Sequence, residues 1–126
     1  MSAEGQSDYY STNQCYTKVA AKVPALKMEL EVSDYIKEKC DSKFESKNAA
    51  DCYHSLQGSL SLGALLAELT KEEPPKFETP DTTVVTRTQL SYPRTVQCRL
   101  DTYHNGTLDL VRPACWFKEP KLDWHW

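Results

Sequence analysis

The side chains able to do chemistry in this chain are chiefly five cysteines and three histidines, and their spacing limits what they can do. Cys40, Cys52 and His54 fall within one short stretch, KCDSKFESKNAADCYH. As a metal site they would read C-x11-C-x-H, which lacks the close cysteine pair of structural zinc centres. Cys52 and His54 on one helix would also point about 200° apart. A disulfide suits Cys40 and Cys52 better. If they flank the turn of a helical hairpin near Lys47, Cys40 lies about 10 Å before the turn and Cys52 about 7 Å after it, so the sulfurs stand at similar heights. Such a bridge would contribute about 2–3 kcal/mol. Cys98 and Cys115 form a second candidate pair, and Cys15 is left over.

Nucleophilic catalysis finds little support. A cysteine nucleophile needs a histidine within hydrogen-bond reach. Cys15 with His54 or His104 is the combination available, and no motif supports it. The chain has no G-x-G-x-x-G, P-loop, H-E-x-x-H or G-x-S-x-G pattern. Four glycines leave no phosphate-cradling loop, so no cofactor is expected.

The elements that would position these residues follow from periodicity. Leu26, Met28, Leu30 and Val32 alternate with Lys27, Glu29 and Glu31, the pattern of a half-buried strand. Ser33 is a suitable N-cap for a helix running to about Ser46, with Ile36, Cys40 and Phe44 on one stripe. Asn48 opens a second helix reaching about Thr70. Its inward face would carry Cys52, Leu56, Leu60, Leu66 and Leu69, with Gly58 and Gly63 allowing close approach. The short connection makes the two helices antiparallel. Pro74, Pro75 and Pro80 then mark residues 71–82 as an extended, solvated linker.

Beyond the linker the period changes to two. TTVVTRTQLSY, RTVQCRLDTYH and TLDLVRPACWFK read as three strands of an antiparallel meander. Asn105-Gly106 suits a two-residue type I′ hairpin, because both positions require positive φ. Across that hairpin Cys98 and Cys115 lie diagonally on one face, and a bulge near Pro113 would bring them into bonding reach. The acceptor pattern Asn105-Gly106-Thr107 is accounted for by the same turn. The expected fold is therefore α+β, a two-layer sandwich of a helical hairpin on an antiparallel sheet, in the order strand-helix-helix-strand-strand-strand.

The chain has 126 residues, which suits a single domain over 1–126, with residues 1–12 as a mobile polar lead-in. Net charge is −3, so no nucleic-acid footprint is implied. No run of 18 apolar residues predicts a membrane span. The first ten residues lack the apolar stretch of a signal peptide, which fits either a cytosolic product or a mature chain. Two disulfides favour the second, in the periplasm or outside the cell. All three tryptophans lie in the last eleven residues. Trp116 reads as core. Trp124 and Trp126, together with Phe77 in the proline-rich linker, read as anchors for a protein partner. The expected function is that of a non-enzymatic, inhibitor- or immunity-like interaction module. The alternatives are a cytosolic ligand-binding or regulatory domain with reduced thiols, and a small thiol-dependent enzyme.

Overall fold

A computed structural model of the chain describes residues 4–16, 18, 32–89 and 95–119. The expected α+β sandwich is not what these residues form. All regular structure among them is helical, with no strand and no sheet. Helix α1 spans Glu4–Tyr10 and runs on into a π-helical turn, Ser11–Cys15. Helix α2 spans Asp34–Lys43, α3 Ser46–Thr70 and α4 Val96–Thr107. The proposed strand over Leu26–Val32 lies outside the described residues except for Val32, which is in no strand.

The helical hairpin forms where the sequence places it. Ser33 caps α2, its hydroxyl accepting the Ile36 N–H at 3.4 Å. Ile36, Cys40, Cys52 and Leu56 are buried together where α2 meets α3. Cys40 is bonded to Cys52, with the Cα atoms 5.7 Å apart across the turn. The far half of α3 departs from expectation. Leu66 is half-buried, and Leu62, Leu65 and Leu69 face solvent. Gly63 does meet a neighbour, since a Cβ there would lie 2.9 Å from Pro75 Cγ. Gly58 meets nothing within 4 Å.

The second half of the chain holds the larger correction. Within RTVQCRLDTYH the residues from Val96 onward are helical, not a strand. Thr95 caps α4 by accepting the Cys98 N–H at 3.0 Å. The helix packs against α3, α1 and the π-helical turn. It is therefore buried on several sides, at Val96, Cys98, Leu100, Thr102, Tyr103, Gly106 and Thr107. A helix buried nearly all round loses the polar face that would reveal its 3.6-residue period. Here the chance alternation of Val96, Cys98 and Leu100 imitates a strand.

Asn105 and Gly106 accordingly form the last turn of α4 rather than a hairpin tip. No described glycine has positive φ. The reversal comes three residues later, where Asp109 adopts φ 54°. Leu110 N–H bonds to Asn105 O at 2.8 Å, and Asp109 N–H to Gly106 O at 3.3 Å, a Schellman closure without glycine. Lys71, at φ 59°, ends α3 in the same left-handed conformation. Among their described residues the remaining two proposed strands contain no strand and make no ladder. Val85 N–H reaches Ala114 O and Gln89 N–H reaches Trp116 O, and residues 114–116 form a turn.

Cys98 is bonded to Cys115, with Cα atoms 6.0 Å apart. The pairing matches the sequence-based expectation, but the geometry behind it is helix to loop rather than strand to strand. Tyr9, Cys98, Cys115 and Trp116 make a second core cluster. Trp116 is core, as its type suggests. Its indole N–H donates to Thr102 Oγ1 at 3.0 Å, and its ring lies flat against Gly5. The lead-in read over residues 1–12 thus includes a helix, with Asp8 and Tyr9 buried against α4 and the 110–119 segment.

Candidate functional site

A cleft of about 650 Å³ opens among the described residues. Its floor comes from α2 and α4, and its walls from the two non-helical segments at 77–85 and 111–119. Read as a helix, Asp101, His104 and Asn105 fall on one face at spacings of three and four. That face meets Tyr35 of α2 and Phe77 of the proline-rich segment. Tyr35 and Phe77 are stacked, with ring centroids 5.6 Å apart and planes at 15°. The His104 ring lies 5.3 Å from Phe77.

The polar groups of the floor form a directed chain. Asn105 Nδ2 donates to Val111 O at 2.9 Å, and a carbonyl can only accept. The amide oxygen of Asn105 therefore faces His104 Nδ1, 2.7 Å away, and Nδ1 carries the proton. His104 Nε2 is then an acceptor and takes the Tyr35 hydroxyl proton at 2.9 Å. Burial lowers the His104 pKa from its ordinary value; the bond to Asn105 opposes this, and the charge of Lys39 adds to it. Burial raises the Tyr35 pKa, so the phenol stays a donor.

Beside this chain lie two carboxylates. Asp101 accepts the Asp81 N–H at 2.7 Å and Gln97 Nε2 at 2.8 Å. Burial raises its pKa in spite of those bonds. For Asp81 the balance is reversed. Burial acts upward, but hydrogen bonds from Thr83 and Thr95 prevail and hold it below the ordinary carboxylate value. Asp81 also lies within 4.8 Å of the sulfurs of Cys98 and Cys115, but those sulfurs are bonded to each other and offer no thiolate to a metal.

The rim is apolar and charged by turns. Val84 and Val111 are 71% and 72% exposed. Arg112 stands over the Tyr9 ring at 4.6 Å and the Phe117 ring at 5.3 Å, and donates to Gln6 Oε1 at 2.7 Å. These contacts hold its cationic head in place. Among the described residues no serine, threonine or cysteine lines the cleft. The arrangement can accept an apolar group on the rings and valines and orient polar groups around it.

Of the three residues expected to bind a partner, Phe77 lies in the cleft wall and is 7% exposed. The segment around it is not simply a solvated linker, since Pro75 is buried as well. Trp124 and Trp126 lie outside the described residues. Cys15 is an exposed free thiol, and both ring nitrogens of His104 are engaged elsewhere. Sequence reasoning missed His104, Arg112, Val84 and Val111. The spacing of Gln97, Asp101, His104 and Asn105 carries the needed signal once the segment is taken as helical. No helix of the described residues is long and apolar enough to cross a membrane. No family model matches this chain, and no match was found among curated proteins or solved structures.

Proposed function

We propose that this protein is a non-enzymatic interaction module of a secreted or periplasmic kind, and that it seats an extended, apolar-anchored segment of a protein partner in the cleft above Tyr35, Phe77 and His104. One observation carries the proposal most of the way. The cleft joins a ring-lined floor to a rim on which two valines, Val84 and Val111, are more than two-thirds exposed. Exposed valines beside a concavity are what an apolar anchor would cover. Arg112, Lys118, Glu119 and Asp81 in its lining supply charges of both signs for the polar flanks of such a segment. The two disulfides support the oxidising compartment.

Selection of a random peptide library on the oxidised protein tests this. Enriched peptides should share an apolar or aromatic anchor between polar residues. Val111→Asp should weaken them about tenfold or more, since it places a charge against the anchor, while the melting temperature stays close to wild type. Peptides that bind Val111→Asp and wild type equally would place the binding surface elsewhere.

A further inference from the structure

Two cations line the cleft, Arg112 and Lys118. Lys118 is exposed, a compact charge on a flexible stem. Arg112 is half-buried and held. Its guanidinium carbon lies 4.6 Å from the centroid of the Tyr9 ring, 5.3 Å from that of Phe117 and 5.8 Å from that of Tyr10. Its Nε donates to Gln6 Oε1 at 2.7 Å. These contacts set the head in place before any partner arrives, which lowers the entropy lost on binding. Among the described residues Nη1 and Nη2 have no acceptor, and Arg112 forms no ion pair. Gln89 Oε1 is the one buried side-chain atom without a partner among those residues, so the Nη edge of Arg112 is open to solvent.

The carboxylates nearby are engaged elsewhere or solvated. Asp101 accepts the Asp81 N–H and Gln97 Nε2, and Asp81 accepts the Thr83 N–H and the Thr95 hydroxyl. Asp109 accepts Asn13 Nδ2 at 3.0 Å, and Glu119 is exposed. An oriented fork with two open donors matches a carboxylate, which accepts on both oxygens. A phosphoryl dianion fits less well, because Asp81, Asp101 and Glu119 in the lining repel its second charge. A carboxylate at a chain terminus is met by clustered backbone N–H groups. Here the N–H groups of Asp81, Val85, Phe117 and Lys118 are bonded within the chain, and Pro80 and Pro113 have none. A side-chain carboxylate needs only the fork.

Val111 directly precedes Arg112 and is 72% exposed on the cleft rim. An extended segment advances about 3.3 Å per residue, so an anchor over Val111 brings its near neighbours beside the guanidinium. We propose that Arg112 selects a partner segment that carries an aspartate or glutamate about one or two residues from its apolar anchor, with the carboxylate held end-on by Nη1 and Nη2. This inference rests on the reading of the cleft as the seat of such a segment.

Selection of a library of carboxamide-ended peptides on the oxidised wild type tests it, followed by binding of the enriched peptides to wild type and to Arg112→Gln. Enriched peptides should carry Asp or Glu within about two positions of the anchor. Changing that residue to Asn or Gln should weaken binding to wild type about tenfold or more, and binding to Arg112→Gln by less than about twofold. The change is made in the peptide, so its effect on wild type does not depend on how any variant folds. Should Arg112→Gln melt far below wild type, Arg112→Lys takes its place, and the same change should cost less there than on wild type, because the ammonium lacks the fork. Peptides that share an apolar anchor but no acidic position overturn this inference and leave the cleft reading standing. An acidic position whose loss costs the same on both proteins overturns it too, since the carboxylate then sits elsewhere. No enrichment at all overturns both.

Discussion

At the scale of single residues, His104 is the group whose environment has a measurable consequence. Its ordinary pKa is about 6.5 in an unfolded chain. Burial holds it lower in the fold. As pH falls through about 6.5, the unfolded state takes up a proton that the folded state refuses, so stability declines until the folded pKa is reached. Above that window both states are neutral and the full stability is present. Protonation would also end the acceptance of the Tyr35 hydroxyl by Nε2. Glutamine at this position can accept the same hydroxyl and does not titrate. The wild type should therefore lose more melting temperature than His104→Gln between about pH 7.5 and pH 5.5. Parallel losses in the two proteins would mean that His104 titrates as an exposed histidine.

At the scale of elements, the close crossing of α4 against α1 and the π-helical turn depends on Gly106. A Cβ there would lie 2.1 Å from Thr12 Oγ1 and 2.6 Å from Tyr9 O. The second contact is backbone and cannot swing aside. Overpacking of this kind costs about 1–3 kcal/mol, whereas alanine gains up to about 1 kcal/mol over glycine in a helix. Gly106→Ala should thus destabilise by about 1 kcal/mol or more in urea denaturation. Gly58→Ala is the control. Nothing lies within 4 Å of the position, so it should stabilise by about 0.5–1 kcal/mol. Equal and favourable effects at both positions would mean that the helices do not approach so closely. Gly106 also shows where the sequence misleads. Asn-Gly is a strong hairpin signal because of its backbone freedom, but here glycine is used for its missing side chain, within a helix. The α2–α3 hairpin is legible because its apolar stripe has a polar opposite face and a capping serine. Helix α4 is not, because polar residues such as Asp101, Thr102 and Thr107 are buried in it alongside the apolar ones. The Cys40–Cys52 bridge is legible because it follows from the helical hairpin, whereas Cys98–Cys115 is reached through a strand hairpin that does not form, and its bond joins a helix to a loop. The cleft is not legible, because its floor requires α4 to be helical and its walls are irregular.

At the scale of the whole molecule, the disulfides divide the work unevenly. One ties α2 to α3, and the other ties α4 to the segment that carries Trp116. Helix α1 has no covalent link of this kind, since Cys15, at the end of its π-helical extension, is free. Its attachment rests on Gly5 beneath the Trp116 ring, on the Tyr9 hydroxyl donating to Leu110 O at 2.7 Å, and above all on Asp8. The Asp8 carboxylate accepts Arg99 Nε at 2.9 Å and Nη2 at 3.0 Å, and the Tyr103 hydroxyl at 3.1 Å. Burial, together with the Asp8 charge, pushes the Tyr103 pKa up to about 12, so this donor is protonated at every pH at which the protein is expected to work. An ion pair that joins two elements across 91 positions of sequence does more than a local one, because it closes the contact between the start of the chain and its central helix. Removing one partner of a buried pair costs about 3–5 kcal/mol when the other charge stays desolvated. Arg99 keeps partial access to water, its side chain being 20% exposed, so the lower end applies. Asp8→Asn should cost about 3 kcal/mol, and the loss should be local. Hydrogen exchange of the α1 amides should quicken strongly, while the amides of α2 and α3 around the Cys40–Cys52 bridge keep most of their protection. Uniform acceleration through α3 would instead show that α1 is part of one cooperative unit with the stapled hairpin, and that the ion pair holds the molecule together rather than one helix to it.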